Sequence, residues 1–150
     1  MTNATMSRDE GAAREIQTLV EAWLNAVRSS DLDAIMAHYA PGVIAYDAIM
    51  ALQFKGAAAY RDHWQACLAM CTGPMTFEIH DLAVVAEGDT GFAHGLVRCG
   101  GPDETGEVRT SWMRMSGGYR RSGGRWHIVH EHFSAPFEPQ SGKAIFDATP

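Results

Sequence analysis

Apolar residues in this chain change their spacing once, near residue 74, and that change constrains the fold more than any other feature. Before it they recur at helical spacing. Ile16, Leu19, Val20, Trp23, Leu24 and Val27 form one stripe, which predicts a first helix over about residues 8–28. Ser7-Arg8-Asp9-Glu10 has the spacing of a capping box and sets its start. Ser30 or Asp31 caps a short second helix carrying Leu32, Ile35, Met36 and Tyr39, which Pro41-Gly42 ends. Residues 43–47 read as a strand and 48–56 as a loop. Residues 57–71 read as a third helix, with Tyr60, Trp64, Cys67, Leu68 and Cys71 on one face and Gly73-Pro74 as its stop. Beyond that point the period is two, giving strands at 75–86, 90–99, 107–121 and 125–134, with a hairpin turn at Ser122-Gly123-Gly124. Gly117-Gly118 inside the third of these implies a bulge or sharp bend. Helices first and long antiparallel strands after them define an α+β domain: a cone-shaped, curved antiparallel sheet with helices closing over a pocket.

At 150 residues the chain fits one domain, with a core over about 8–136 and a polar tail at 137–150. Such a length buries roughly 70% of the unfolded surface, enough for a self-sufficient core. A net charge of −6 excludes the basic face that a nucleic-acid partner needs, and it disfavours an anionic membrane surface. The uncharged stretches are too short to span a bilayer, and Met1 to Glu10 is polar with no apolar signal region, so the expected location is cytoplasmic. Three cysteines, Cys67, Cys71 and Cys99, with no CxxC pair, fit a reducing compartment. Cys67 and Cys71 are expected to be small apolar fillers.

Four strings resemble the nuclear-transport-factor-2-like superfamily, in particular its SnoaL-like and ketosteroid-isomerase-like domains. They are Val43–Asp47 followed by Leu52–Gly56; Ala59–Trp64; Phe92–Arg98; and Gly124–Pro136. The likeness covers roughly residues 12–140. The last string is also similar to the association domain of calcium/calmodulin-dependent protein kinase, where Arg98 falls at the place of a pocket arginine. The resemblance implies the fold and a cavity. It does not imply one reaction, because this fold hosts unrelated activities.

Asp47 falls where the resembling isomerases hold a carboxylate that shuttles a proton. A carboxylate in an apolar cavity is a useful base because burial destabilises its charged form. The other isomerase groups are replaced. Trp23 stands at the helix-one tyrosine and Gly117 at the protonated acid of the penultimate strand, so steroid isomerisation by that route is not expected. His94 and Arg98 share one strand face with Leu96. If that face looks inward, Asp47 or His94 is the base and Arg98 the electrostatic stabiliser. Tyr60 and Trp64 roof the pocket, and Tyr46 lies beside Asp47 on the first strand. In the long strand either Trp112 and Arg114 or Met113 and Met115 face in. Parity leaves open whether Glu131 or the pair His130 and His132 faces the cavity. The histidine pair has strand spacing for a metal, but no carboxylate or thiolate completes the set, and no metal site is expected. No phosphate loop, GxGxxG or GxSxG stands in the chain, and no cofactor is expected.

These residues fit a small organic ligand and a cofactor-independent isomerase, cyclase or dehydratase that moves a proton on a carbonyl or acidic compound. The alternative is a non-catalytic ligand-binding or oligomeric assembly module with the same pocket. In either case self-association is expected, as a homodimer or a larger assembly, because helices cover only one sheet face.

Overall fold

A computed structural model describes residues 6–150; the polar start of the chain at 1–5 lies outside them. Helix α1 runs Arg8–Arg28, and its capping box is present in both directions. The Glu10 amide donates to Ser7 Oγ at 3.2 Å, and the Ser7 amide donates to Glu10 Oε2 at 2.8 Å. Helix α2, Leu32–Met36, is capped by Asp31, whose Oδ1 accepts from the Ala34 amide. Helix α3 covers Ala57–Met70 and starts from Gly56, which holds a left-handed φ of 87°. Among the described residues no helix is long and apolar enough to cross a membrane.

The strands are β1 Tyr39–Tyr46, β2 Phe54–Lys55, β3 Thr76–Glu87, β4 Thr90–Pro102, β5 Val108–Ser122 and β6 Arg125–Ser134. A further ribbon, β7 Phe137–Glu138 and β8 Lys143–Ala144, lies in the tail. The main sheet has the order β2-β1-β6-β5-β4-β3 and does not close into a barrel. Two points differ from the sequence expectation. The first strand pairs parallel, not antiparallel, with the last one. Pro41-Gly42 does not end α2 but lies inside β1, where the register to β6 shifts between Tyr39 and Ile44. Proline is tolerated there because a bulged segment needs no ladder donor.

The curvature comes from irregular ladders. Register shifts occur between His80 and Ala83 of β3 and between Gly118 and Tyr119 of β5. Asp81 takes a left-handed φ of 54° in the first of these. A bulge bends its strand and flips the faces that later residues present. The tail meets β5 past the end of β6, where the Trp112 amide donates to the Phe146 carbonyl at 3.4 Å.

Helix α1 lies in the concave face. Its Trp23 meets Trp64 and Phe77 edge-on, at centroid distances of 5.8 and 5.6 Å, and stacks over Phe133 at 6.3 Å. Such pairs add about 1 kcal/mol each beyond area burial. Ile16, Val27, Ile35, Val43 and Val97 are fully buried around them.

The closest backbone approach lies at Gly100. A Cβ there would fall on the carbonyl of Arg109 across the ladder. Gly100→Ala is expected to cost about 3 kcal/mol, read as a lowered urea midpoint with unchanged slope.

Candidate active site

Asp47 follows the last residue of β1 and turns toward α3. Its Oδ2 lies 3.2 Å from His63 Nε2, and its Oδ1 accepts from the Ile49 amide at 3.3 Å. His63 is 6% exposed, stacked on Phe54 at 4.1 Å between ring centroids, and sits three residues after Tyr60 on the inner face of α3. The helix therefore delivers an imidazole and a phenol to one carboxylate. Tyr60 Oη is 3.5 Å from Asp47 Oδ2, at the long limit of a hydrogen bond.

Behind Asp47 lies a second acid. Glu131 is 3% exposed on β6. Its Oε2 accepts from Tyr39 Oη at 2.7 Å and from Tyr60 Oη at 2.8 Å, and Trp23 Nε1 donates to Tyr39 Oη at 2.9 Å. Both phenols donate to one oxygen, which leaves Oε1 to carry a proton. Burial pushes the Glu131 carboxyl up to about 7; the two hydroxyls pull against that shift, and the charge of Asp47 adds to it. Burial, then the Glu131 charge, holds both phenols well above the ordinary tyrosine range. Glu131 is also the cross-strand partner of Gly117. The place that the resemblance marks for a protonated acid is thus empty of a side chain, and an acid stands on the neighbouring strand. The space over Gly117 is taken by the Tyr119 hydroxyl, 2.6 Å from where a Cβ would stand.

A pocket of about 220 Å³ opens between α3 and the sheet with Asp47 in its wall. Trp64, Leu68, Phe77, Met113 and Phe133 make the lining almost wholly apolar. The three cysteines also border it; Cys71 is exposed and Cys67 half-buried, so these two are not the buried fillers expected, while Cys99 is half-buried and packs against the core. Cys67 Sγ lies 3.5 Å from His63 Nε2, the same nitrogen that faces Asp47. A nucleophile–base–carboxylate relay needs the two ring nitrogens to serve different partners, so these three residues do not form one. Burial, with Asp47 and Cys71 adding to it, pushes the Cys67 thiol up to about 11, and a neutral thiol is a poor nucleophile.

The structure brings Asp47, Trp23, Tyr60, Trp64, Met113 and Glu131 to the concave side. The remaining expected site residues lie on the opposite face, and here the sequence expectation is corrected. The ladder of β4 buries Ala93 and Val97, so His94 and Arg98 point away from the pocket. Arg98 Nε donates to Thr110 Oγ1 at 3.1 Å, and its Nη1 lies 3.6 Å from Glu78. Arg98 therefore does not share the hollow with Asp47. Met115 is buried, and Met113 lines the pocket, which places Trp112 and Arg114 on the outer face. There His80 packs edge-on against Trp112 at 4.9 Å. Tyr46 is 39% exposed and packs edge-on against His130 and His132 at 4.8 and 5.5 Å. His130 Nδ1 is 2.7 Å from the Ile44 carbonyl, so that nitrogen carries the proton and donates. Among the described residues, no three His, Cys, Asp or Glu side chains gather around one ion site. His63 and Tyr39 were missed as site residues. His63 falls on the face of Tyr60, Trp64 and Cys67, so the helical spacing carried its signal.

The family model for the SnoaL-like domain matches residues 16–138. The chain belongs to the SnoaL-like domain family. A crystal structure of an NTF2-like protein of unknown function from Pseudomonas putida is 50% identical, covers 97% of this chain and 100% of its own, and superposes with a TM-score of 0.88. At lower identity the likeness is one of fold. A ketosteroid isomerase-like protein from Erwinia carotovora atroseptica is 18% identical over 81% of this chain and 94% of its own, with a TM-score of 0.68. A protein from Xanthomonas campestris, named after the calcium/calmodulin dependent protein kinase II association domain, is 20% identical over 91% and 95%, with a TM-score of 0.72. No curated protein matches the chain.

The buried acid of this SnoaL-like domain gives a stability signature. Its carboxyl titrates near 7 when folded against an ordinary value of 4.5, so the folded state holds the proton more tightly. The stabilisation that this proton contributes is complete below about pH 4.5 and is lost as pH rises through about 7, a swing of about 3 kcal/mol. Glu131→Gln cannot titrate. Urea unfolding at pH 5 and pH 8 is expected to show the variant gaining on the wild type by that order as pH rises.

Proposed function

We propose that this SnoaL-like domain is a cofactor-independent enzyme of the isomerase, dehydratase or cyclase type that moves a proton on a small, largely apolar carbonyl compound. One observation carries the reading: Asp47, held 3.2 Å from His63, stands in the wall of a pocket whose lining is otherwise almost wholly apolar. Asp47 is the base. It takes a proton from carbon next to a carbonyl and returns it to a second atom of the same molecule, so that no external acceptor is consumed. His63 holds the carboxylate from one side through Nε2, and the Ile49 amide holds it from the other. The apolar lining excludes competing water, and Tyr60 stands behind Asp47 with its hydroxyl committed to Glu131. The pocket volume exceeds the roughly 150 Å³ of a cavity that accepts benzene, so it suits one ring with a short substituent.

One feature weighs against a pocket that only binds: among the described residues no guanidinium pairs with Asp47. The open hollow, which Met113 borders without filling, weighs against a purely structural role. Location in the cytoplasm and pairing of two copies through the outer sheet face, with Trp112 and Arg114, belong to the same proposal.

The test is deuterium incorporation from heavy water into a panel of small aryl and alkyl ketones, followed by mass spectrometry. Asp47→Asn is expected to lower the rate by about 100-fold or more, and His63→Gln by about tenfold. A wild-type rate no higher than that of Asp47→Asn on every ketone would sink the reading.

A further inference from the structure

Asp47 stands in the wall of two cavities, not one. The inner pocket described above shares Asp47 and Phe133 with an outer groove of about 640 Å³ on the far side of the β1–β2 loop. The groove's lining is the more polar of the two. The groove sets Tyr46, Gln53, His132 and Ser134 among alanines, Leu52 and Phe133. The four polar side chains offer hydrogen-bond donors and acceptors, and among the described residues Asp47 is the one carboxylate in the lining. Its wall is a built structure. Asp47 Oδ1 accepts from Ile49, the Ala51 amide donates to the Ile49 carbonyl at 2.9 Å, and Ala51 and Leu52 face the groove.

We infer that the outer groove is a second subsite and that the substrate is bipartite: an apolar ring in the inner pocket, a carbonyl-activated carbon at Asp47, and an uncharged hydrogen-bonding tail in the groove. This rests on the proton-transfer reading above and names its substrate class. The juxtaposition of the cavities puts the reacting carbon at the junction, with an almost wholly apolar lining on one side and a mixed lining with hydrogen-bonding side chains on the other. A β-dicarbonyl compound has that order. Its central C–H bond breaks, the electrons spread into the two flanking carbonyls, and the proton passes to the Asp47 carboxylate, which hands it back to carbon or oxygen. An ionic tail is disfavoured: a cation finds no acid in the groove except Asp47, which the chemistry needs, and an anion finds no lysine or arginine in the lining.

The experiment compares acetophenone, which fills only the inner pocket, with the ethanolamide of benzoylacetic acid, which adds the second carbonyl and a hydroxyl tail. Affinities are read by ligand-observed NMR on the full chain. The ethanolamide is expected to bind about tenfold tighter or better. Ala51→Trp, on the exposed loop, is expected to erase that gain while leaving acetophenone binding unchanged; Gln53→Trp blocks the groove from a second position. Leu68→Trp fills the inner pocket and is expected to weaken both ligands. Equal affinity for the two ligands, a gain that survives both groove variants, or no binding of either ligand overturns the second subsite. The proton-transfer reading fails separately. It falls if the ethanolamide binds with the predicted gain but exchanges its central hydrogens with heavy water at the same rate in wild type and Asp47→Asn.

Discussion

A carboxyl group in the dry interior sets the terms for the rest of this structure. Glu131 cannot be left bare at that depth, because an unpaired buried acid costs several kcal/mol. Tyr39 from the start of β1 and Tyr60 from α3 both donate to it, and Trp23 from α1 donates to Tyr39. One acid therefore fixes the relative positions of two helices and two strands through three hydrogen bonds. Tyr60 is also the neighbour of Asp47, so the positioning of the pocket carboxylate is inherited from the need to satisfy a buried one.

Much of the frame was legible in the sequence. The capping box at Ser7 and Glu10, the aromatic stripe of α1 and the glycine turn at Gly123-Gly124 are local signals, and each folds as its chemistry dictates. What sequence parity could not decide was the facing of β6. Trp126 and Ile128 are buried at even positions, and Glu131 and Phe133 at odd ones. The switch occurs opposite the shift between Gly118 and Tyr119, where Val129 is the extra residue on β6. A bulge is a long-range compromise between two strands, and alternation read along one of them cannot contain it.

The site was legible in pieces for the same reason. Tyr60 and Trp64 sit where helical spacing put them, and Asp47 stands at the end of β1, where the resemblance marked a carboxylate. Arg98 looked attractive as a pocket cation, but its neighbours Val97 and Ala93 are the fully buried residues of β4, and two alternate side chains cannot share that face with it. His63 lay unassigned among better core formers on the same helical stripe. Its role follows only from the meeting of α3 with the end of β1, which are joined through a loop whose path the sequence does not show.

The parallel pairing of the first strand with the last has a kinetic meaning. Tyr39 and Glu131 lie 92 residues apart, and Ile44 and His130 lie 86 apart. Contacts of that separation carry a high loop-closure cost and form late. During synthesis the chain can cap its helices and fold its β3–β5 meander early, but the acid cluster stays unassembled until the final strand leaves the ribosome and docks beside the opening one. The cluster around Glu131 thus forms as the closing event of folding, and a nascent chain that lacks β6 cannot assemble it.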